Sequence, residues 1–235
     1  MDERVASAFG AARVSVWFEE RRPVRALSGF DRRFHRLPER KSESADRFVA
    51  AVGRADVEER LTRISAALRE HFRLRRRQLR RCEDHLITPG FEYSLSLAVD
   101  PDDPTLAVFV GELTHIDDPA LLGSDAFAAV FGDAAASMTV ALPGSARGPE
   151  LGAPTVDLEG LIDACEDAGL RVRYPEDCSE ARLVLPARGQ AVELRFTRRA
   201  IELRPAGGSS GVALLDAFTL AVAQLADAGV ALVGA

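Results

Sequence analysis

Residue types able to do chemistry are sparse in this chain of 235 residues, so their spacing is tested first. Cys82-Glu83-Asp84-His85 sets a thiol and an imidazole three residues apart, the separation of two side chains on one helix face. With His115, Asp117 and Asp118 as further donors, that pair would reach the ligand number of a zinc site. Alone it would be a Cys–His nucleophile pair. Neither arrangement carries a supporting signature. Cys82 falls on an apolar stripe, where a buried, inert thiol is the ordinary reading, so no catalytic residue, metal ligand or cofactor is assigned. Asp100, Asp102 and Asp103 form an acidic run, but an EF-hand loop needs glycine at its sixth position and glutamate at its twelfth, where Thr105 and Gly111 stand. The run reads as a hairpin turn. Gly207-Gly208-Ser209-Ser210-Gly211 lies between an expected strand and an expected helix, yet lacks the Lys-Ser/Thr of a P-loop and the order of a dinucleotide fingerprint. It reads as a connection with an N-capping serine. His35 sits among Arg32, Arg33 and Arg36 as part of a basic patch, with nothing nearby to make it a general base.

Charge offers a stronger signal. Asp56 to Leu86 contains no glycine or proline, and Leu61, Ile64, Leu68, Phe72, Leu79, Cys82 and Leu86 recur at spacings of three, four and seven. That is the period of a helix with one apolar stripe, about 80° wide at 100° per residue. Arg69, Arg73, Arg76, Arg77 and Arg80 fall on a neighbouring sector. The spacing therefore predicts one long helix with an apolar seam beside a cationic face. Leu61, Ile64, Leu68 and Phe72 are the candidate dimer seam, and the five arginines are the candidate macromolecule-binding residues. No aromatic residue is interleaved with these arginines, which argues against a base-stacking platform on that face. Glu58 and Glu59 dilute it at one end, and the chain's own acidic half offers a route to neutralise it. Arg75 projects into the apolar stripe and must snorkel, pair, or mark where the helix leaves the core.

The elements that position these residues follow from composition and pattern. Apolar residues are 47% and charged residues 28%, usual for a globular chain. The net charge of −6 argues against wholesale coating of nucleic acid. It is unevenly spread: residues 1–85 carry 21 basic and 14 acidic side chains, residues 86–235 carry 9 and 22. Three cysteines, Cys82, Cys165 and Cys178, suggest no disulfide framework, and no signal sequence or membrane span is read, so a cytoplasmic location is expected.

In chain order, residues 1–55 are expected to form a partly irregular N-terminal region. Val5, Phe9 and Ala12 suit a short helix, Val14, Val16 and Phe18 alternate as a strand, and Asp46–Val52 makes a helical turn or two. Residues 56–142 comprise the long helix and an antiparallel hairpin. Phe91 to Val99 alternates as the clearest strand, followed by a central strand over Leu106–Val110, a short helix over Ser124–Phe131 and a strand over Met138–Leu142. Residues 143–155, rich in glycine and proline, are the expected linker. Residues 156–235 form a second unit: a helix from Leu158 stopped at Gly169, strands at Arg171–Tyr174, Arg182–Leu185, Val192–Phe196 and Ala200–Arg204, and a helix over Val212–Ala228. The last two strands specify a register, Arg195 facing Glu202, Glu193 facing Arg204, Phe196 facing Ile201 and Leu194 facing Leu203. Arg198-Arg199 is poor chemistry for a two-residue turn, so a longer loop is expected.

Strands come in runs rather than alternating with helices, which predicts an α+β fold: a long amphipathic helix and two small helix-on-antiparallel-sheet units joined by the Pro/Gly-rich linker. In order of elements, the second unit resembles small domains such as the type III secretion chaperone-like fold, which implies dimerisation and protein binding. The leading expectation is a non-enzymatic adaptor, chaperone-like or regulatory protein that binds another protein or itself as a homodimer. The alternative is a nucleic-acid-binding protein using the arginines. A third reading is an enzyme with an unrecognised site, for which a pocket near His85 and His115 is the requirement.

Overall fold

The computed structural model describes residues 3–10, 14–132, 137–141, 156–205, 211–230 and 232. The helices are α1 (Glu3–Phe9), α2 (Glu43–Val52), α3 (Arg54–His71), α4 (Asp125–Phe131), α5 (Leu158–Asp167) and α6 (Gly211–Asp227). The strands are β1 (Ser15–Pro23), β2 (Arg80–Cys82), β3 (His85–Ile87), β4 (Glu92–Val99), β5 (Leu106–Thr114), β6 (Ser137–Ala141), β7 (Val172–Arg173), β8 (Glu180–Ala187), β9 (Gln190–Thr197) and β10 (Ala200–Pro205). Mixed helices and antiparallel strands make this an α+β protein, as the pattern of strand runs predicts. The chain divides into two compact units, one from Trp17 to Leu113 and one from Met1–Val16 together with Thr114–Ala235. Residues 1–55 are shared between these two units. The expected linker, residues 143–155, lies outside the described residues, as does most of the Gly207–Gly211 loop.

In the unit Trp17–Leu113 the strands follow the order β2-β3-β4-β5-β1, with α2 and α3 packed on β4. The Ser42 hydroxyl caps α2 by accepting the Ala45 N–H at 3.2 Å. Gly53 alone joins α2 to α3, and a Cβ there would sit 2.2 Å from Leu97 Cδ2, so any larger residue would have to displace the Leu97 side chain. Leu61, Ile64 and Leu68 are at most 4% exposed. The expected dimer seam therefore lies in the unit's own core, with only Phe72 half-buried, its ring edge-on to Phe91 at 5.6 Å.

The long helix expected over Asp56–Leu86 ends at His71. Phe72 caps it, and Arg73 takes the left-handed conformation at φ 51° that a chain commonly adopts just past a helix end. Continuing the helix would stack Arg69, Arg73, Arg76, Arg77 and Arg80 at spacings of three and four, a column of like charges. Arg75 would also enter the apolar stripe. Instead the chain leaves the core at that point, Leu79 (5% exposed) and Leu86 (0%) are buried from a hairpin, and Cys82 becomes exposed.

The turn between β4 and β5 is built on Asp100, which is 2% exposed. Its Oδ1 accepts the N–H groups of Asp102 (2.8 Å) and Asp103 (3.1 Å), and its Oδ2 accepts Arg21 Nε at 2.6 Å. Burial pushes this carboxyl up, but the donors from Asp102, Arg21 and Asp103 outweigh it and hold the carboxyl below its ordinary range. A depressed folded pKa contributes stability that is present above the unfolded value and lost as pH falls through the folded one. Replacing Asp100 by alanine is expected to cost about 2–3 kcal/mol at neutral pH, because two turn N–H groups and a guanidinium lose their acceptor. Asp100→Asn keeps one acceptor and should cost less. Urea midpoints taken from neutral pH down to about pH 3 should show a smaller acid-induced loss for both variants than for the wild type.

In the other unit the strand order is β6-β10-β9-β8-β7, with α6 against β6, β8, β9 and β10. Leu214, Phe218, Ala221 and Leu225 are at most 1% exposed, and Leu215, Ala217 and Val222 are buried too, so α6 is enclosed on more sides than one stripe implies. The N-terminal helix belongs here: Phe9 stacks on Phe218 at 6.3 Å and Leu232 donates its N–H to Ala8 at 2.8 Å. The β9–β10 register is as expected, with Arg195 opposite Glu202, Glu193 opposite Arg204, Phe196 opposite Ile201 and Leu194 opposite Leu203. The loop is shorter than expected, with Arg198 and Arg199 alone between the strands. Thr197 makes this workable: its hydroxyl accepts the Ala200 N–H at 3.1 Å and donates to the Ala200 carbonyl at 3.2 Å. Thr197→Val should destabilise the protein by about 1–2 kcal/mol, read from thermal or urea midpoints.

Candidate anion-binding surface

Arg69 lies on the last turn of α3, where a cation complements the helix dipole. Arg73 to Gln78 form the exit and a turn in which Arg75 donates its N–H to Gln78 Oε1 at 2.9 Å, and Gln78 returns its N–H to the Arg75 carbonyl at 2.8 Å. Arg80 and Arg81 open β2, which pairs with β3 through Arg80↔Ile87, Arg81↔Leu86 and Cys82↔His85. Arg69, Arg73, Arg76, Arg77 and Arg80 are all exposed, as is Arg75. Among the described residues only Arg81 of this segment is tied to a carboxylate, that of Glu58, with a further hydrogen bond to Thr62 at 3.4 Å. The other six arginines have no ion pair. The cationic helix face is thus replaced by a cationic loop and hairpin, held by Leu79 and Arg81, whose other arginines have no ion pair among the described residues.

The arginines on the β8–β10 sheet face are arranged differently. On the wet face of β7–β10, Arg173, Arg182 and Arg195 lie opposite one another, a row of like charges that sheets normally avoid. Glu180 takes Arg182 Nε at 2.7 Å and Arg195 Nε at 2.6 Å, and Glu202 takes Arg195 Nη1 at 3.2 Å and Arg204 Nη2 at 3.3 Å. Hydrogen bonds from Arg195 and Arg182 hold the Glu180 carboxyl below its usual range. An open hollow of about 540 Å³ borders this row beside Tyr174 and Val184. Within the row each carboxylate serves two arginines, so most of that charge is spent internally.

One charged group escaped the sequence reading altogether. Arg60 is 8% exposed, its Nη1 meets Glu20 Oε2 at 2.8 Å, and its guanidinium carbon lies 3.7 Å from the centre of the Phe109 ring. Glu20 also accepts Arg22 Nε at 2.6 Å. Burial pushes the Glu20 carboxyl up, but hydrogen bonds from Arg60 and Arg22 outweigh it and leave it below its ordinary range. Burial also drives the Tyr93 hydroxyl far above the usual phenol range, so it stays protonated. An ion pair stacked on a phenylalanine is a packing device and brings no nucleophile with it. Spacing on α3 held one faint signal for it, since Arg60 stands four residues before the buried Ile64 and eight before Leu68.

The chemical candidates are dispersed. Cys82 is exposed and faces His85 across a hairpin rather than along a helix. His85 Nδ1 is 2.7 Å from Asp84 Oδ1, and its Nε2 is 3.6 Å from Glu92 Oε1. His115 is exposed at φ 52°, while Asp118 caps the short helical turn Pro119–Gly123 by accepting the Ala120 N–H at 2.9 Å. Cys165 is buried, and burial together with the neighbouring Glu166 charge pushes its thiol up to about 11, a state without nucleophilic use at neutral pH. Among the described residues no group of three or more His, Cys, Asp or Glu side chains could hold a metal ion, and no described helix is long and apolar enough to cross a membrane.

An α+β protein carrying an un-neutralised arginine segment is the class these features define. No family model matches the chain, and neither a curated protein nor a solved structure is similar to it, so the resemblance to chaperone-like folds rests on order of elements alone.

Proposed function

We propose that this is a non-enzymatic nucleic-acid-binding protein that takes hold of the phosphate backbone through Arg69, Arg73, Arg75, Arg76, Arg77 and Arg80. The observation that carries the reading is that these six exposed arginines have no ion pair among the described residues, in a chain whose other arginine row is largely neutralised. Planar guanidinium groups pair bidentately with phosphate oxygens, and their density suits a polyanion. A folded protein partner is less well matched. Such interfaces centre on buried aromatic or aliphatic anchors, and the large exposed apolar residues, Phe34, Leu37, Tyr174, Val184 and Leu220, all lie outside this segment. The adaptor reading drew on the apolar seam of α3, and three of its four residues, Leu61, Ile64 and Leu68, are spent in the core. The unit Trp17–Leu113 holds 19 basic and 17 acidic side chains, net +2, so binding is confined to a segment rather than spread over a basic body. A cytoplasmic location is part of the same proposal, supported by three free cysteines.

The test is fluorescence anisotropy of a labelled mixed-sequence oligonucleotide over a salt series, paired with light scattering and the 260/280 nm absorbance ratio of the purified protein. The reading requires affinity that falls steeply and linearly with log salt. Absence of binding at low salt would discard it.

A further inference from the structure

A second exposed basic segment of the unit Trp17–Leu113 presents an aromatic ring. Phe34 is 79% exposed, far more than any other large apolar residue described. Arg32, Arg36 and Arg40 are exposed around it in sequence and have no ion pair among the described residues. A solvent-exposed phenylalanine on a floppy loop would mean little, but this turn is held on several sides. The Asp31 carbonyl accepts the N–H groups of Phe34 (3.0 Å) and His35 (2.8 Å), and the Asp31 N–H donates to His35 Nδ1 at 3.0 Å. The Asp31 carboxylate accepts the Arg33 N–H at 2.9 Å and Arg33 Nη2 at 2.7 Å. The His35 ring lies 5.6 Å from Phe30 and 5.5 Å from Phe48 of α2, and Gly29 donates its N–H to the last residue of α2, Val52, at 2.9 Å. The turn is therefore anchored to α2 by its neighbours, and Phe34 is the one ring of the group aimed at solvent. The Arg33 guanidinium carbon stands 5.5 Å from its centre.

We infer that Phe34 is a stacking platform for an unpaired base, and that the nucleic acid this protein prefers is single-stranded. The inference rests on the nucleic-acid reading above and deepens it. The backbone that carries the ring is held, so little backbone entropy is left to lose on stacking, and every base offers a π-face, so the platform is indifferent to sequence. Arg32 and Arg36, two residues to either side in sequence and exposed, supply the cations for the adjacent phosphates. Duplex keeps its bases stacked on one another and gives Phe34 nothing to receive. A lone ring between cations also differs from the contiguous apolar centre of a protein interface.

The experiment compares wild type, Phe34→Ala and Phe34→Trp on labelled single-stranded and duplex oligonucleotides of the same sequence. Circular dichroism melts check that these surface variants stay folded. Phe34→Ala should weaken single-strand binding about tenfold, within the range of alanine substitutions at stacked aromatics. It should leave duplex affinity and the salt slope unchanged, because no phosphate contact is removed. Phe34→Trp should bind at least as tightly as wild type, with emission of the added indole quenched by the base. If wild type binds but Phe34→Ala binds single strands equally well, the platform is wrong and the arginine reading stands. If wild type binds neither form at low salt, both are wrong.

Discussion

Changing Arg73, Arg75, Arg76, Arg77 and Arg80 together to glutamine is expected to remove most of the affinity for nucleic acid and the larger part of its salt dependence, leaving the share carried by Arg69, Arg32 and Arg36. Five phosphate contacts give a slope of log affinity against log salt of about −3.5 on single strands and about −4.5 on duplex. Between 50 and 200 mM salt these five contacts alone should cost the wild type about a hundredfold to five-hundredfold in affinity, and the variant's slope should be shallower by that amount. Stability should change by less than about 0.5 kcal/mol, because the five side chains are exposed and break no ion pair when shortened. Arg81→Gln is the informative control. Its guanidinium already faces Glu58, so it should contribute less to the slope. Anisotropy titrations at a series of salt concentrations measure the slope, and a thermal melt measures the rest. A variant with an unchanged slope would move the binding surface elsewhere.

The second large effect lies at Arg60. Arg60→Ala is expected to destabilise the protein by about 2–5 kcal/mol, the range for emptying a packed site, because it removes the volume as well as the charge. Glu20 loses one of its two guanidinium partners, Phe109 loses the cation stacked 3.7 Å from its ring, and a cavity opens beside Leu61 on the same helix. Arg60→Met should cost far less. Its unbranched chain refills the volume, Arg22 still holds Glu20, and the buried Arg60 Nη2, which has no hydrogen-bond partner, is removed along with its desolvation penalty. Equilibrium urea unfolding of the two variants separates these cases. Equal losses for alanine and methionine would mean that charge pairing, and not packing, is what Arg60 supplies.

Some of this molecule is written in local pattern. Alternation from Phe91 to Val99 specifies β4 because a strand repeats every two residues. Opposite charges and matched apolar residues specify the β9–β10 register because a slip by one would turn every side chain to the wrong face. The end of α3 was not legible in the same way. Leu79 and Leu86 keep helical spacing with Leu68 and are buried as that spacing suggests, but from a hairpin, since burial of a residue does not reveal which backbone carries it. Arg75, a cation set in the apolar stripe, was the signal that the helix stops short of it.

Sequence alone determined the α+β class, most of the elements and the concentration of arginine between residues 69 and 81. Only the tertiary structure decided which arginines keep their charge for a partner. Neutralisation depends on approach within a few ångströms, and that distance is set by folding rather than by position in the chain. Arg60 finds Glu20 forty residues away and Arg21 finds Asp100 seventy-nine away, while Arg76 and Arg77, close in sequence to Glu70 and Glu83, pair with neither.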